Sequence, residues 1–359
     1  MTHVFVSPHP DDVALSCGGL IASLRELGQN VAILTVFSGT GPTTDLTAYQ
    51  REALGFGSKA LWPNTEAFNR ENIASDYPAV EPGAVPPWLA TPEGLDATQS
   101  EADAAARRFW QRSSWYRRAD IRGRALAGGA LADDIAQQGA LLTDELTAAR
   151  DAGDVMTTRR LEDERYAAFA EAGIVFLDLA DAVFRGYEGD EELLSAPRSD
   201  DPAPVEILRR EIGRLEPQKV YLPLGVGGHV DHRLMRDVGI ALVGEAEEWL
   251  LPGPRYAGIV TFYEDFPYAH WDEFARLDDL PAGSLDRFPT DVALTPEYAA
   301  IAEVVERKIR GIAIYESQID RLFAGVEPMS DAVRSHGARV AGLGGLPGYA
   351  ERYWATSLL

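Results

Sequence analysis

An apolar run, Val4-Phe5-Val6, stops at His9-Pro10-Asp11-Asp12, and a helix-patterned run from Val13 to Gly28 follows at once. Cys17, Leu20, Ile21, Leu24 and Leu27 recur at helical spacing, and Gly28 ends the pattern. A second apolar run, residues 31–37, completes strand, helix and strand in about 35 residues, the length of a βαβ unit with a parallel, right-handed crossover. This unit constrains the fold more than any other feature. Residues 174–177, 220–222 and 259–262 read as further strands, and residues 206–215, 234–250 and 296–323 as helices. The sum is an α/β fold, a Rossmann-like and mostly parallel sheet with helices on both faces. One α/β domain over residues 1–359 accounts for the pattern, apart from an inserted loop and helical subdomain over about 42–155. That block is too long for an ordinary connection. It reads as a decorative insertion, an oligomer surface or a lid, with Trp110 and Trp115 as lid or small-core residues.

The strand ends carry the chemistry. In open α/β sheets, sites are built at the carboxyl ends of strands. His9, Asp11 and Asp12 follow the first strand, and His229, Asp231 and His232 follow the run Val220-Tyr221-Leu222. Histidine and aspartate are the usual ligands of a borderline divalent cation. Two such clusters after two strands predict one metal site assembled from distant segments. The plainer alternatives are an acidic cap on the first helix for Asp11 and Asp12, and a solvated first turn for His229 and His232. Pro10 biases His9 toward an extended backbone, and Gly225, Gly227 and Gly228 point to a tight bend or close approach.

Composition narrows the partners. The chain has 359 residues, 46% of them hydrophobic, and a formal net charge of -23. That charge argues against nucleic acid as a partner, because phosphate binding needs a basic surface. No stretch approaches the roughly 18 unbroken apolar residues of a membrane span, and no secretory pattern opens the chain, so a cytoplasmic location is expected. A single cysteine, Cys17, excludes an internal disulfide and a Cys-rich zinc site.

The motifs resemble those of the PIG-L/LmbE family of zinc-dependent N-acetylglucosamine deacetylases. Ser7-Pro8-His9-Pro10-Asp11-Asp12 is similar to the family's first motif, and Gly228-His229-Val230-Asp231-His232 to its second. Residues 262–268, 308–318, 351–353 and 160–173 resemble further family segments, so the likeness spans most of the chain outside about 42–155. The resemblance implies zinc ligands His9, Asp12 and His232, with Fe or Mn accepted by the same donors. It implies Asp11 as general base and His229 as helper at the oxyanion or leaving group. Zinc would activate water and polarise the amide carbonyl, and the leaving amine would gain its proton from Asp11 or His229. Asp231 is expected to orient a histidine or to stay solvated. Tyr263, Asp265, Tyr268 and Arg51 are expected to contact the substrate, with Arg160 and Arg185 as weaker candidates.

The implied reaction is removal of acetyl from an N-acetylated amino sugar or its conjugate. The alternatives are hydrolysis of another N-acyl amide, or a catalytically weakened metal- or sugar-binding protein. The implied partner is a small-molecule amino-sugar conjugate, and a homo-oligomer is left open. Two departures stand out. Val13 replaces the Glu that most relatives carry after the Asp pair, and Gly227 replaces a Tyr found in some relatives, which leaves an oxyanion donor either missing or supplied from elsewhere, for instance by Tyr263 or Tyr268.

Overall fold

The computed structural model describes residues 2–39, 47, 49–50, 145–150, 154–244, 258–271, 288 and 292–358. Most of the predicted 42–155 subdomain, including Arg51, Trp110 and Trp115, lies outside these residues.

Strand β1 (Thr2–Ser7) is followed by α1 (Asp12–Glu26) and β2 (Asn30–Thr35). The strands pair in parallel, from Thr2 opposite Asn30 to Ser7 opposite Thr35. Then come α2 (Val155–Phe169), β3 (Gly173–Phe176), a 3-10 turn at Ala182–Phe184, α3 (Asp190–Leu193) and α4 (Val205–Arg214). Strand β4 (Lys219–Pro223) and α5 (Val230–Gly244) precede β5 (Val260–Tyr263) and a 3-10 turn at Tyr268–His270. The chain ends with β6 (Val292–Ala300), α6 (Val305–Ile312), α7 (Glu316–Phe323), α8 (Val326–Leu343) and β7 (Ala350–Leu358).

The sheet order is β3-β2-β1-β4-β5-β7-β6. From β1 the chain winds outward through β2 to β3, then returns to place β4 on the other side of β1. All contacts from β3 to β5 are parallel. The order reverses between β1 and β4, and that switch point is where helices diverge and leave a crevice at the carboxyl ends. The α/β expectation holds, and so does the reason: strands such as VFVS and NVAILT are buried on both faces and therefore carry no polar alternation. One apolar cluster covers each side. Val4, Val6, Leu34, Leu222 and Phe262 pack on one face, and Phe5, Val13, Cys17, Ile21, Ile33 and Tyr221 on the other.

One expected element is wrong. Residues 296–300, read as the start of a helix, belong to β6. The stretch has helix-forming Ala and Glu, but nine residues of β6 pair antiparallel with β7, and cross-strand pairing overrides local propensity. Pro296 is tolerated because β6 is the edge strand. Helix structure resumes at Val305. His336 lies on α8, buried against Phe266. No helix among the described residues is long and apolar enough to cross a membrane.

The C-terminal layer is tied to α1 by a buried ion pair. Lys308 Nζ lies 2.7 Å from Glu351 Oε1, and both side chains are 5% exposed. Glu351 also accepts from the backbone N–H groups of Gly19 and Leu20, each at 2.8 Å. Removing one partner strands the other charge in the interior. Lys308→Met is therefore expected to cost about 3–5 kcal/mol of stability in urea unfolding, far more than an equivalent change at an exposed lysine.

Candidate metal centre and active site

His9, Asp11 and Asp12 occupy the sharp turn between β1 and α1. Asp11 stands at the N-cap position with a φ of 112°, yet its side chain makes no capping hydrogen bond. The carboxylate is therefore not used as a cap, and a non-glycine residue held at positive φ marks a site where local strain is tolerated for another purpose. Asp12 Oδ2 accepts from the His9 backbone N–H at 2.8 Å and closes the turn. Ser7 Oγ donates to the His9 carbonyl at 2.6 Å and accepts from Val13 N–H at 3.2 Å. The side chain of Val13 is 1% exposed and packs in the core with Phe5 and Val31. In this chain position 13 is a core position.

The second cluster opens α5. Across the switch point, Asp12 Oδ2 lies 3.2 Å from His9 Nδ1 and 3.3 Å from His232 Nε2. The other nitrogen of each ring meets a carboxylate. His9 Nε2 is 2.9 Å from Asp231 Oδ2, and His232 Nδ1 is 2.6 Å from Asp265 Oδ1. Ionised carboxylates only accept, so each ring donates on that side, and a cation taking the opposite nitrogen would leave the ring's remaining proton there. Nδ1 of His9 and Nε2 of His232 are left facing Asp12. This is the carboxylate–histidine arrangement that orients metal ligands. His9, His229 and His232 each offer a nitrogen within 4.8 Å of the others. His229 differs in its tautomer: the Asp231 backbone N–H donates to its Nδ1 at 3.3 Å, so the neutral ring carries its proton on Nε2 as a donor.

The electrostatics follow from burial. Asp11, Asp12, Asp181, Asp231 and Asp265 are all buried around the two rings. Burial alone would lower the pKa of His9, but Asp181, Asp12 and Asp231 outweigh it and raise it to about 9. His232 is raised well above its ordinary value by Asp12 and Asp265 against the same desolvation. Burial and the neighbouring His9 hold His229 well below its usual value, so it is neutral. The Asp11 carboxyl is pushed up to about 7 by burial, opposed by Arg159, whose Nη2 lies 3.6 Å from Asp11 Oδ1 and 3.2 Å from the Pro10 carbonyl. Asp12 is held well below the carboxylate range by His232 and His9 despite burial. A donor set of two imidazoles and an excess of buried carboxylates fits a divalent cation.

Two expected substrate contacts are corrected. Tyr263 is 1% exposed and its hydroxyl donates to the Val6 carbonyl at 2.9 Å, because strand alternation on β5 turns it into the core. Asp265, at 1% exposed, has both oxygens committed, one to His232 and one to the Val226 N–H at 2.8 Å. It holds a histidine and a loop. Tyr268 is half-buried beside the site, its ring edge-on to His232 at 5.9 Å. A Cβ at Gly227, where φ is 84°, would fall 2.3 Å from Tyr268 Cδ1. Tyr268 thus fills the space a side chain at 227 would need. Arg51 lies outside the described residues. Arg160 pairs with Asp178 over the Phe176 ring.

Sequence reasoning missed Arg159 and Asp181. Asp181 lies 3.5 Å from His9 Nε2 and follows β3, so the strand-end rule could have found it. Arg159 sits on α2, with no motif to announce it.

Comparison with known proteins agrees with the motif reading. Residues 4–68 match the PIG-L family, described as GlcNAc-PI de-N-acetylase. A curated relative, the 2'-N-acetylparomamine deacetylase of Streptomyces fradiae, is 33% identical over 172 residues, 46% of this chain and 55% of that protein. The chain therefore spans about half the length of the curated relative it matches. The zinc-inhibited form of teicoplanin deacetylase shares the fold with a TM-score of 0.53 at 19% identity, covering 100% of this chain and 99% of that one. The A40926 pseudoaglycone deacetylase does so with a TM-score of 0.50 at 20% identity, covering 99% and 97%. The PIG-L/LmbE resemblance is thereby borne out, and the fold is that of solved deacetylases.

Because the carboxylates raise the His9 and His232 pKa values, both rings are protonated in the metal-free protein at neutral pH. Divalent binding requires neutral imidazoles. Zinc titration at pH 7, followed by calorimetry in buffers of different ionisation enthalpy, is expected to release about two protons per ion from these rings. The His9 contribution is present in full below pH about 7 and fades as pH rises through about 9.

Proposed function

We propose that this chain is a divalent-metal-dependent hydrolase that removes acetyl from an N-acetylated amino sugar or its conjugate. The observation that carries the reading is the pair of imidazoles turned toward Asp12, with Asp11 unspent beside them. His9, Asp12 and His232 would hold the cation, with zinc as the ion the family likeness implies. When bound, such a cation acidifies a coordinated water and polarises an amide carbonyl.

The remaining chemistry belongs to this chain's own residues. Asp11 is held next to the ligand turn, and Arg159 fixes its carboxylate. As the water oxygen bonds to the acetyl carbon, Asp11 accepts the water's proton. His229 offers its Nε2–H to the developing oxyanion, a role for a neutral donor. When the C–N bond breaks, the amine nitrogen needs a proton. Neutral His229 would become an imidazolate by giving one up, whereas Asp11 has just received one. Asp11 is therefore the proton donor, and acetate and the free amine are the products. Tyr268, beside His232 and held protonated by burial, is placed to contact a substrate hydroxyl or the carbonyl oxygen.

The amino-sugar class rests on the family likeness and on the paromamine-derived substrate named for the Streptomyces fradiae relative. A net charge of -23 favours approach of a cationic aminoglycoside over an anionic substrate. The test is acetate release from N-acetylated amino-sugar conjugates by the zinc-loaded protein, with and without chelator. Asp11→Ala is expected to lower turnover by at least about a hundredfold, the low end for losing a general base, with zinc content unchanged. Full turnover in that variant would remove Asp11 from the mechanism, and acetate release that survives complete metal removal would remove the metal.

A further inference from the structure

The proposed metal centre presents one histidine to two competing donor sets. His9 Nδ1 faces Asp12 at 3.2 Å. His9 Nε2 faces Asp231 Oδ2 at 2.9 Å and Asp181 Oδ2 at 3.5 Å, and His9, Asp181 and Asp231 form a second buried trio with ligand atoms within 4.8 Å of one another. One nitrogen and two carboxylates would also suit a divalent ion. Something must choose between the two sides of the ring.

The surroundings of Arg185 supply the choice. Its Nη2 contacts Asp231 Oδ1 and lies 3.0 Å from Asp201 Oδ2. Its Nε donates to Asp201 Oδ2 at 3.1 Å, and its Nη1 donates to the Ala180 carbonyl at 2.6 Å. The guanidinium carbon lies 4.7 Å from the Phe37 ring centroid. Asp201 is held in turn by the Tyr187 hydroxyl, which donates to it at 3.0 Å. The other oxygen of Asp231 accepts from Ala182 N–H at 3.1 Å and meets His9 Nε2. Arg185 is thus anchored at several points and is not free to grip a substrate. A tethered guanidinium on Asp231 acts as a resident cation. It fixes the carboxylate in place and repels a second cation from the Asp181 side at short range.

We propose that Arg185 is a positioning residue that, by holding Asp231, keeps the His9 proton on Nε2 and confines a divalent ion to the Asp12 side of the ring. The segment after β3, residues 180–201, thereby becomes a fourth contributor to the centre, alongside the turns after β1 and β4 and the loop after β5. The inference rests on the metal-site reading above.

Zinc alone is the probe, titrated into the full chain against a chromophoric chelator, with nitrogen-15 histidine spectra of the zinc-loaded protein. The wild type is expected to bind one zinc with the His9 proton on Nε2. Arg185→Met is expected to weaken that binding about 10- to 100-fold, the usual range for losing an outer-shell partner, and to lose the Nε2 proton signal. Arg185→Lys keeps the charge but not the fork, and is expected to stay within about threefold of wild type if charge dominates. Asp201→Asn leaves Arg185 in place but loosens it, so it gives a smaller loss in the same direction and keeps the test open if Arg185→Met fails to fold. Wild-type zinc affinity in both Arg185→Met and Asp201→Asn, with the His9 Nε2 proton retained, overturns the proposal. A wild-type chain that binds no zinc overturns the metal-site reading itself, and the two failures are separate measurements.

Discussion

Asp12 Oδ2 stands between His9 Nδ1 and His232 Nε2, and this single oxygen couples two turns more than two hundred residues apart. Its position depends on the parallel pairing of β1 with β4 and of β4 with β5. Shift either register and the carboxylates behind the rings lose their partners. Asp231 arrives from the start of α5 and Asp265 from the loop after β5, each gripping the far nitrogen of one ring. The strands fix the carboxylates, the carboxylates fix the rings, and the rings define where a cation fits.

Holding this many carboxylates away from water is costly, and the structure offsets the cost with nearby positive charge and hydrogen-bond donors. Arg159 serves Asp11, Arg185 serves Asp231, and backbone N–H groups of His9, Ala182 and Val226 serve Asp12, Asp231 and Asp265. Asp11 is the member with the least direct support, and burial leaves its carboxyl raised to about 7. An acid–base role needs a group poised between its two states, whereas Asp12, the proposed ligand carboxylate, is held firmly ionised.

The two departures from the family motifs have separate physical accounts. Val13 faces the core beneath the turn, and Ser7 ties the turn from the other side. Gly227 is required by the Tyr268 ring, which lies too close for any side chain at that position. An aromatic ring beside His232 is therefore supplied from the loop after β5.

The order of apolar runs, the helical spacing from Cys17 to Leu24 and the two His/Asp clusters were enough to place a parallel α/β sheet and to nominate His9, Asp11, Asp12, His229 and His232. These signals are local, because a buried parallel strand and a strand-end motif are both written in consecutive residues. Local propensity failed at residues 296–300, where Ala and Glu favoured a helix but pairing with β7 made a strand. The tertiary structure alone decided which nitrogen of each ring faces Asp12, and turned Tyr263 into the core. It alone committed Asp265 to His232 and brought Arg159, Asp181 and Arg185 to the centre. Those outcomes depend on distances between segments remote in sequence, and burial and hydrogen bonding assign a partner only after the strands have been set side by side.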